Sequence, residues 1–108
     1  MGNQIDGDRW VFDSVSTTAE IEKLRGRHQI TGLFWVEDAA RDIAADDNLK
    51  IVDGDGLIIM EKTAAGTPAT ASNELIIPIA DPGLMVHGFK VELLDGGILI
   101  VWLKLPYT

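Results

Sequence analysis

The chain reads as an all-β domain: a single β-sandwich or small barrel of about seven strands. Three observations predict this. Short runs rich in Val, Ile, Leu, Phe and Trp recur along its 108 residues, the composition that packs well on a pleated surface. Turns built from Gly, Pro and Asp separate those runs. Helical signal is confined to one stretch near residues 17–25, so at most one short helix is expected. The length gives one domain over residues 1–108. At this size a chain buries roughly 65% of the surface its unfolded form exposes, which is enough for a core without staples.

Residues 1–8 lack the basic start and apolar run of a signal peptide, and Asp6 stands where a myristoylation pattern wants Ser or Thr. They are expected to form a flexible N-terminal arm. Residues 9–15 (Arg-Trp-Val-Phe-Asp-Ser-Val) form an aromatic and β-branched run, a strand candidate. Thr17 with Glu20 fits a capping box and Gly26 fits a helix stop, so 17–25 is a short helix or an irregular connection. Residues 29–36 are a strand. Residues 37–48 are acidic and alanine-rich, with Ile43 as the only apolar anchor. A helix there would bury little, so the stretch reads as a long solvated loop.

Residues 49–52 and 57–62 flank Asp53-Gly54-Asp55-Gly56. Asp-Gly between two apolar runs is a strong hairpin signal, because the turn needs a positive φ that Gly adopts cheaply. Residues 63–73 are Ala, Thr, Gly, Pro and Ser, a flexible loop. Residues 74–79 are a strand, with Pro78 placing it at an edge or a strand end. Asp81-Pro82-Gly83 is a turn. Residues 84–94 read as one long strand, with Gly88 marking a bulge or a close backbone approach. Asp95-Gly96-Gly97 is a second hairpin turn, leading to a last strand over 98–105.

Alternation along 84–94 puts Met85, His87, Phe89, Val91 and Leu93 on the core face, with Val86, Gly88, Lys90 and Glu92 opposite. The last strand does not alternate. Ile98, Ile100 and Trp102 lie on one face, and Leu99, Val101, Leu103 and Leu105 on the other. Either a loop or the N-terminal segment covers the second face, or another subunit does. Ile58 and Ile59 repeat the pattern. Ile98, Ile100, Trp102 and Ile58 are therefore the candidate oligomer or partner interface.

Net charge is -8, from 17 acidic and 9 basic residues. That balance argues against nucleic acid or an anionic membrane as partner, since both reward clustered Lys and Arg. The longest apolar run, 98–103, falls far short of the ~20 residues of a membrane span. The absence of cysteine excludes a disulfide framework and Cys-ligated zinc.

Catalytic signals are weak. Gly-x-Ser-x-Gly, a P-loop and Gly-x-Gly-x-x-Gly are all missing, and no His spacing suggests a transition metal. His87 reads as a core histidine and His28 as an exposed one. Asp53-Gly54-Asp55-Gly56, near Asp46 and Asp47, faintly echoes a calcium loop. However, Leu57 occupies the third ligand position and the closing Glu is missing. A hairpin turn accounts for Asp53 and Asp55 without metal. No enzyme, cofactor or metal site is expected. Trp10, Trp35 and Trp102 could form an aromatic platform, the hint of a carbohydrate-binding module, although each lies inside an apolar strand.

The order of motifs carries one resemblance. Ile30-Thr31-Gly32-Leu33-Phe34-Trp35 precedes a polar loop, followed by Leu49-Lys50-Ile51-Val52-Asp53-Gly54-Asp55-Gly56-Leu57-Ile58. Gly88-Phe89-Lys90-Val91 comes next, and Leu94-Asp95-Gly96-Gly97-Ile98-Leu99-Ile100-Val101-Trp102-Leu103-Lys104 closes the series. Over roughly residues 28–104 this resembles small β-rich virion-associated proteins of tailed bacteriophages, of the head decoration or cement kind. The chain departs from their pattern in having Trp102 where Tyr is more usual, and in a long extension before residue 28. The resemblance implies a capsid decoration protein that forms a homo-oligomer, with a trimer as the expected state, and binds the major capsid protein. It would be made in the host cytoplasm and carried in the virion. A tail, neck or fibre-attachment module binding another virion protein is the alternative. The resemblance assigns no catalytic or ligand residues.

Overall fold

Asp53-Gly54-Asp55-Gly56 forms the hairpin that its sequence demands. It joins β4 (Asn48–Val52) to β5 (Ile58–Thr63) in an antiparallel pair with Ile51 opposite Met60 and Lys50 opposite Glu61. The Asp53 carboxylate accepts from the backbone N–H of Asp55 at 2.8 Å and of Leu57 at 2.9 Å, which ties the turn from within. The computed structural model describes residues 3–37, 43–44, 46–64, 75–80 and 83–104. The loop expected at 63–73 lies outside those residues beyond Ala64. So do Asp81 and Pro82 of the expected turn, Leu105, and residues 38–42 and 45 of the expected acidic loop.

Among the described residues the fold is all-β with one short helix and two sheets, and these do not close into a barrel. The larger sheet runs β1 (Gln4–Asp6), β2 (Arg9–Phe12), β9 (Ile98–Leu103), β3 (Arg27–Val36). Along the far side of β3 lie β7 (Leu84–His87), opposite residues 27–30, and β6 (Leu75–Pro78), opposite residues 32–35. The smaller sheet is β5, β4, β8 (Lys90–Leu94). Both sheets contribute to one core. Phe12, Ile30, Trp35, Leu99 and Val101 enter it from the large sheet, and Leu49, Ile51 and Val91 from the small one. Ile43, the expected anchor of the acidic stretch, is buried in the same core.

Helix α1 (Thr18–Lys23) forms where the capping box placed it. Thr17 Oγ1 accepts from Glu20 N–H at 3.2 Å, and Glu20 Oε1 accepts from Thr17 N–H at 2.9 Å, so two orphan donors are satisfied reciprocally. Gly26, at φ +102°, turns the chain into β3.

Three expectations need correction. First, the segment expected as a flexible arm carries β1. Asp6 pairs with Arg9 across a two-residue turn in which Gly7 has φ +66°, and Ile5 is buried. Asn3 adds a clamp: its Oδ1 accepts from Asp13 N–H at 2.9 Å and its Nδ2 donates to Glu20 at 2.9 Å.

Second, residues 84–94 are two strands in different sheets. Gly88, at φ +83°, breaks the run, so β7 joins β3 and β8 joins β4. The inward face changes at that break. Val86 points inward before it; Phe89, Val91 and Leu94 point inward after it. A register shift near Leu93 brings both Val91 and Leu94 onto the core side. Met85, His87 and Leu93, expected inside, are exposed.

Third, residues 95–97 are a crossing between sheets. They leave β8 in the small sheet and enter β9 in the large one, with Gly97 at φ +65°. The buried Trp35 indole N–H donates to Gly96 O at 2.9 Å and fixes that corner.

Candidate functional site: the outer face of the large sheet

β9 is central in the large sheet, paired with β2 on one side and β3 on the other. Its inward residues Leu99 and Val101 are fully buried. Ile98, Ile100 and Trp102 therefore point away from the core, and all three are half-buried. Register extends the face to neighbouring strands. Val11 and Phe34 flank Ile100, Val36 lies beside Ile98, and Arg9 and Gly32 flank Trp102. The result is a cross-strand layer of Val11, Ile100 and Phe34, with Val36, Ile98 and Trp102 adjoining it. Gln4 and Arg9 stand at its polar margin.

Trp102 lies over Gly32. A Cβ at residue 32 would sit 3.3 Å from Trp102 Cδ1 and 3.1 Å from Phe34 Cε1. The missing side chain is what lets the indole fold down across β3, as aromatic side chains do over sheet glycines. The Arg9 guanidinium sits 5.5 Å from the Trp102 ring centroid, a cation–π geometry, and Phe34 is 6.2 Å away on the other side. The Trp102 indole N–H is buried with no acceptor among the described residues. An unsatisfied buried donor is costly in a lone chain.

Ile58, the fourth candidate, is not part of this face. It lies on β5, the edge strand of the small sheet, and is 54% exposed beside Leu57 at 67%. Sequence reading missed Val11, Phe34 and Val36. The signal was present: β3 is apolar on both faces, as β9 is.

The other candidates have structural positions. Trp10 and Trp35 are buried in the core, which removes two of the three rings from any sugar platform. His28 packs edge-on against Trp10 at 5.0 Å, and its Nε2 hydrogen-bonds with Leu24 O at 2.9 Å. The Asp53 carboxylate is occupied within its own turn, and an Asp47 Oδ2 accepts from Ala44 N–H at 2.7 Å. Among the described residues no group of three or more His, Asp or Glu is placed to hold a metal ion. No described helix is long and apolar enough to cross a membrane.

No family model, curated protein or solved structure matches this chain.

Proposed function

We propose that the chain is a structural protein of a tailed-phage virion: a head decoration protein that self-associates and binds the major capsid protein, and does not act as an enzyme. One observation carries the reading, namely the apolar outer face of the large sheet centred on Ile98, Ile100 and Trp102. A lone soluble domain has no need of a contiguous apolar layer there, whereas an assembly buries it at an interface centre. Interfaces are enriched in aromatic side chains and Arg, and here Arg9 lies against the Trp102 ring. The motif order supplies the virion setting. The acidic balance fits a component that must not adhere to DNA.

Sedimentation of the purified chain and mass spectrometry of purified virions test the proposal together. An oligomer recovered in particles at the copy number of a shell component supports it. A low copy number moves the protein to the tail or neck. A monodisperse monomer absent from particles overturns both versions.

A further inference from the structure

Four Asp-Gly steps occur in the chain, at residues 6, 53, 55 and 95, and the structure describes the carboxyl groups of the last three. Such a step is reactive because the glycine carries no Cβ to shield its nitrogen. That nitrogen can attack the aspartyl Cγ and close a five-membered succinimide. The carboxyl loses OH and the nitrogen loses its hydrogen, so one water leaves. Water then adds back at either carbonyl. One product is the original aspartate. The other is isoaspartate, whose main chain runs through Cβ and Cγ and is one carbon longer. Water is the only co-reactant.

The fold holds two of the three described steps. The Asp53 carboxylate is occupied by the N–H groups of Asp55 and Leu57, and Gly54 N–H donates to His87 O at 2.8 Å. A Cβ on Gly54 would lie 2.8 Å from that same oxygen, so β7 also crowds the step. Asp95 Oδ2 accepts from Asn48 N–H at 2.9 Å, and Gly96 is buried under the Trp35 indole bond. Reaction at either site first requires those bonds to open. Asp55 differs. Its side chain is exposed and makes no hydrogen bond or ion pair among the described residues. Gly56 is exposed too, with nothing within 4 Å of where its Cβ would stand. Its one restraint is donation of its N–H to Asp53 O at 3.1 Å inside the turn. We infer that Asp55-Gly56, at the tip of the β4–β5 hairpin, is the step of these three at which the folded chain forms succinimide and then isoaspartate. The turn that Asp53 ties from within thereby gains one main-chain carbon, next to the exposed Leu57 and Ile58. The inference does not depend on the assembly reading, because this hairpin belongs to the small sheet.

The test ages the purified full chain at mildly acidic pH, folded in one sample and unfolded in urea in another. Peptides from each are mapped by electron-transfer mass spectrometry, which distinguishes isoaspartate from aspartate at every position. In the folded chain isoaspartate should accumulate at residue 55 about tenfold faster than at 53 or 95. That ratio is the equivalent of ~1.4 kcal/mol held in one charged hydrogen bond at the slower sites. In urea the three rates should become alike, because the fold alone separates them. Rates at 53 or 95 equal to that at 55 in the folded chain, a preference for 55 that persists in urea, or no isoaspartate at 55 in the folded chain would each overturn the assignment.

Discussion

On the small sheet, the side chains turned away from the core include Lys50, Glu61, Lys90 and Glu92, with Lys50 and Glu92 paired at 3.0 Å. On the large sheet they include Val11, Phe34, Val36, Ile98, Ile100 and Trp102, with Gln4 and Arg9 at the margin. The inward faces are alike, both aliphatic and aromatic and both part of one core. The difference is confined to the outer faces, where folding of a single chain makes no demand for apolar residues. Packing explains the inner layers. The proposed interface accounts for one outer face carrying mainly charges and the other mainly apolar side chains.

The largest expected effect is one that abolishes the contrast by dissolving both sheets. Trp35 is fully buried, and its indole N–H holds the crossing at Gly96. Trp35→Ala should cost about 3–5 kcal/mol, a large part of the stability of a small domain. Urea denaturation should show it as a fall in midpoint.

Gly88→Ala comes next and strikes the junction between the sheets. Its φ of +83° disfavours any side chain, and a Cβ there would sit 2.7 Å from Gly54 Cα. A cost of about 2 kcal/mol or more is expected, from backbone strain plus a backbone clash that cannot relax cheaply. The same denaturation experiment reads it.

Trp102→Asp and Leu93→Asp sharpen the contrast directly. Both place a carboxylate on an outer face, one on each sheet, and Leu93 is 39% exposed. Trp102→Asp should weaken self-association by about 2 kcal/mol, some thirtyfold, as loss of an interface anchor does. Leu93→Asp should leave the sedimentation coefficient unchanged. Equal behaviour of the two variants would remove the functional distinction between the faces.

The smallest effect concerns the charged face alone. The hydrogen bond from Lys50 holds the Glu92 carboxyl below the ordinary glutamate value, and the same contact raises Lys50 above the ordinary lysine value. Glu92 therefore contributes stability that is full above its unfolded pKa and lost as pH falls through the lowered folded value. Lys50 contributes stability that is full below its unfolded pKa and lost as pH rises through the raised one. The pair is solvent-exposed and screened, so the effect is small and fades with salt. NMR titration of Glu92 should show its pKa return toward the ordinary value in Lys50→Met.

Local devices were legible in the sequence. The Thr17–Glu20 capping box and the Asp53–Gly56 hairpin act through bonds to near neighbours, so a few residues specify them. Where a strand's core face lies depends on which sheet the strand joins, and that is a long-range fact. Residues 84–94 show the difference. The glycine at 88 signalled an irregularity, but alternation could not reveal that the two halves pair with different partners. The turn at Gly7–Asp8 was not read from the sequence, because the three residues of β1 are too short a run to register as a strand. For the candidate site, two-sided apolarity in β9 marked Ile98, Ile100 and Trp102. Their neighbours Val11, Phe34 and Val36 follow from register alone, which no single strand encodes.

The position of β9 also bears on the order of assembly in time. β2 and β3 are made early in the chain, and neither can pair with the other directly because β9 separates them. During synthesis both must wait, with apolar edges open, until residues 98–103 clear the ribosome. Loop-closure entropy over such separations makes folding slow, and waiting edges are templates for aggregation. A chain stopped before residue 98 should therefore precipitate rather than remain as a smaller folded domain, and its rescue by an added peptide of residues 95–104 would show that the missing strand is the keystone.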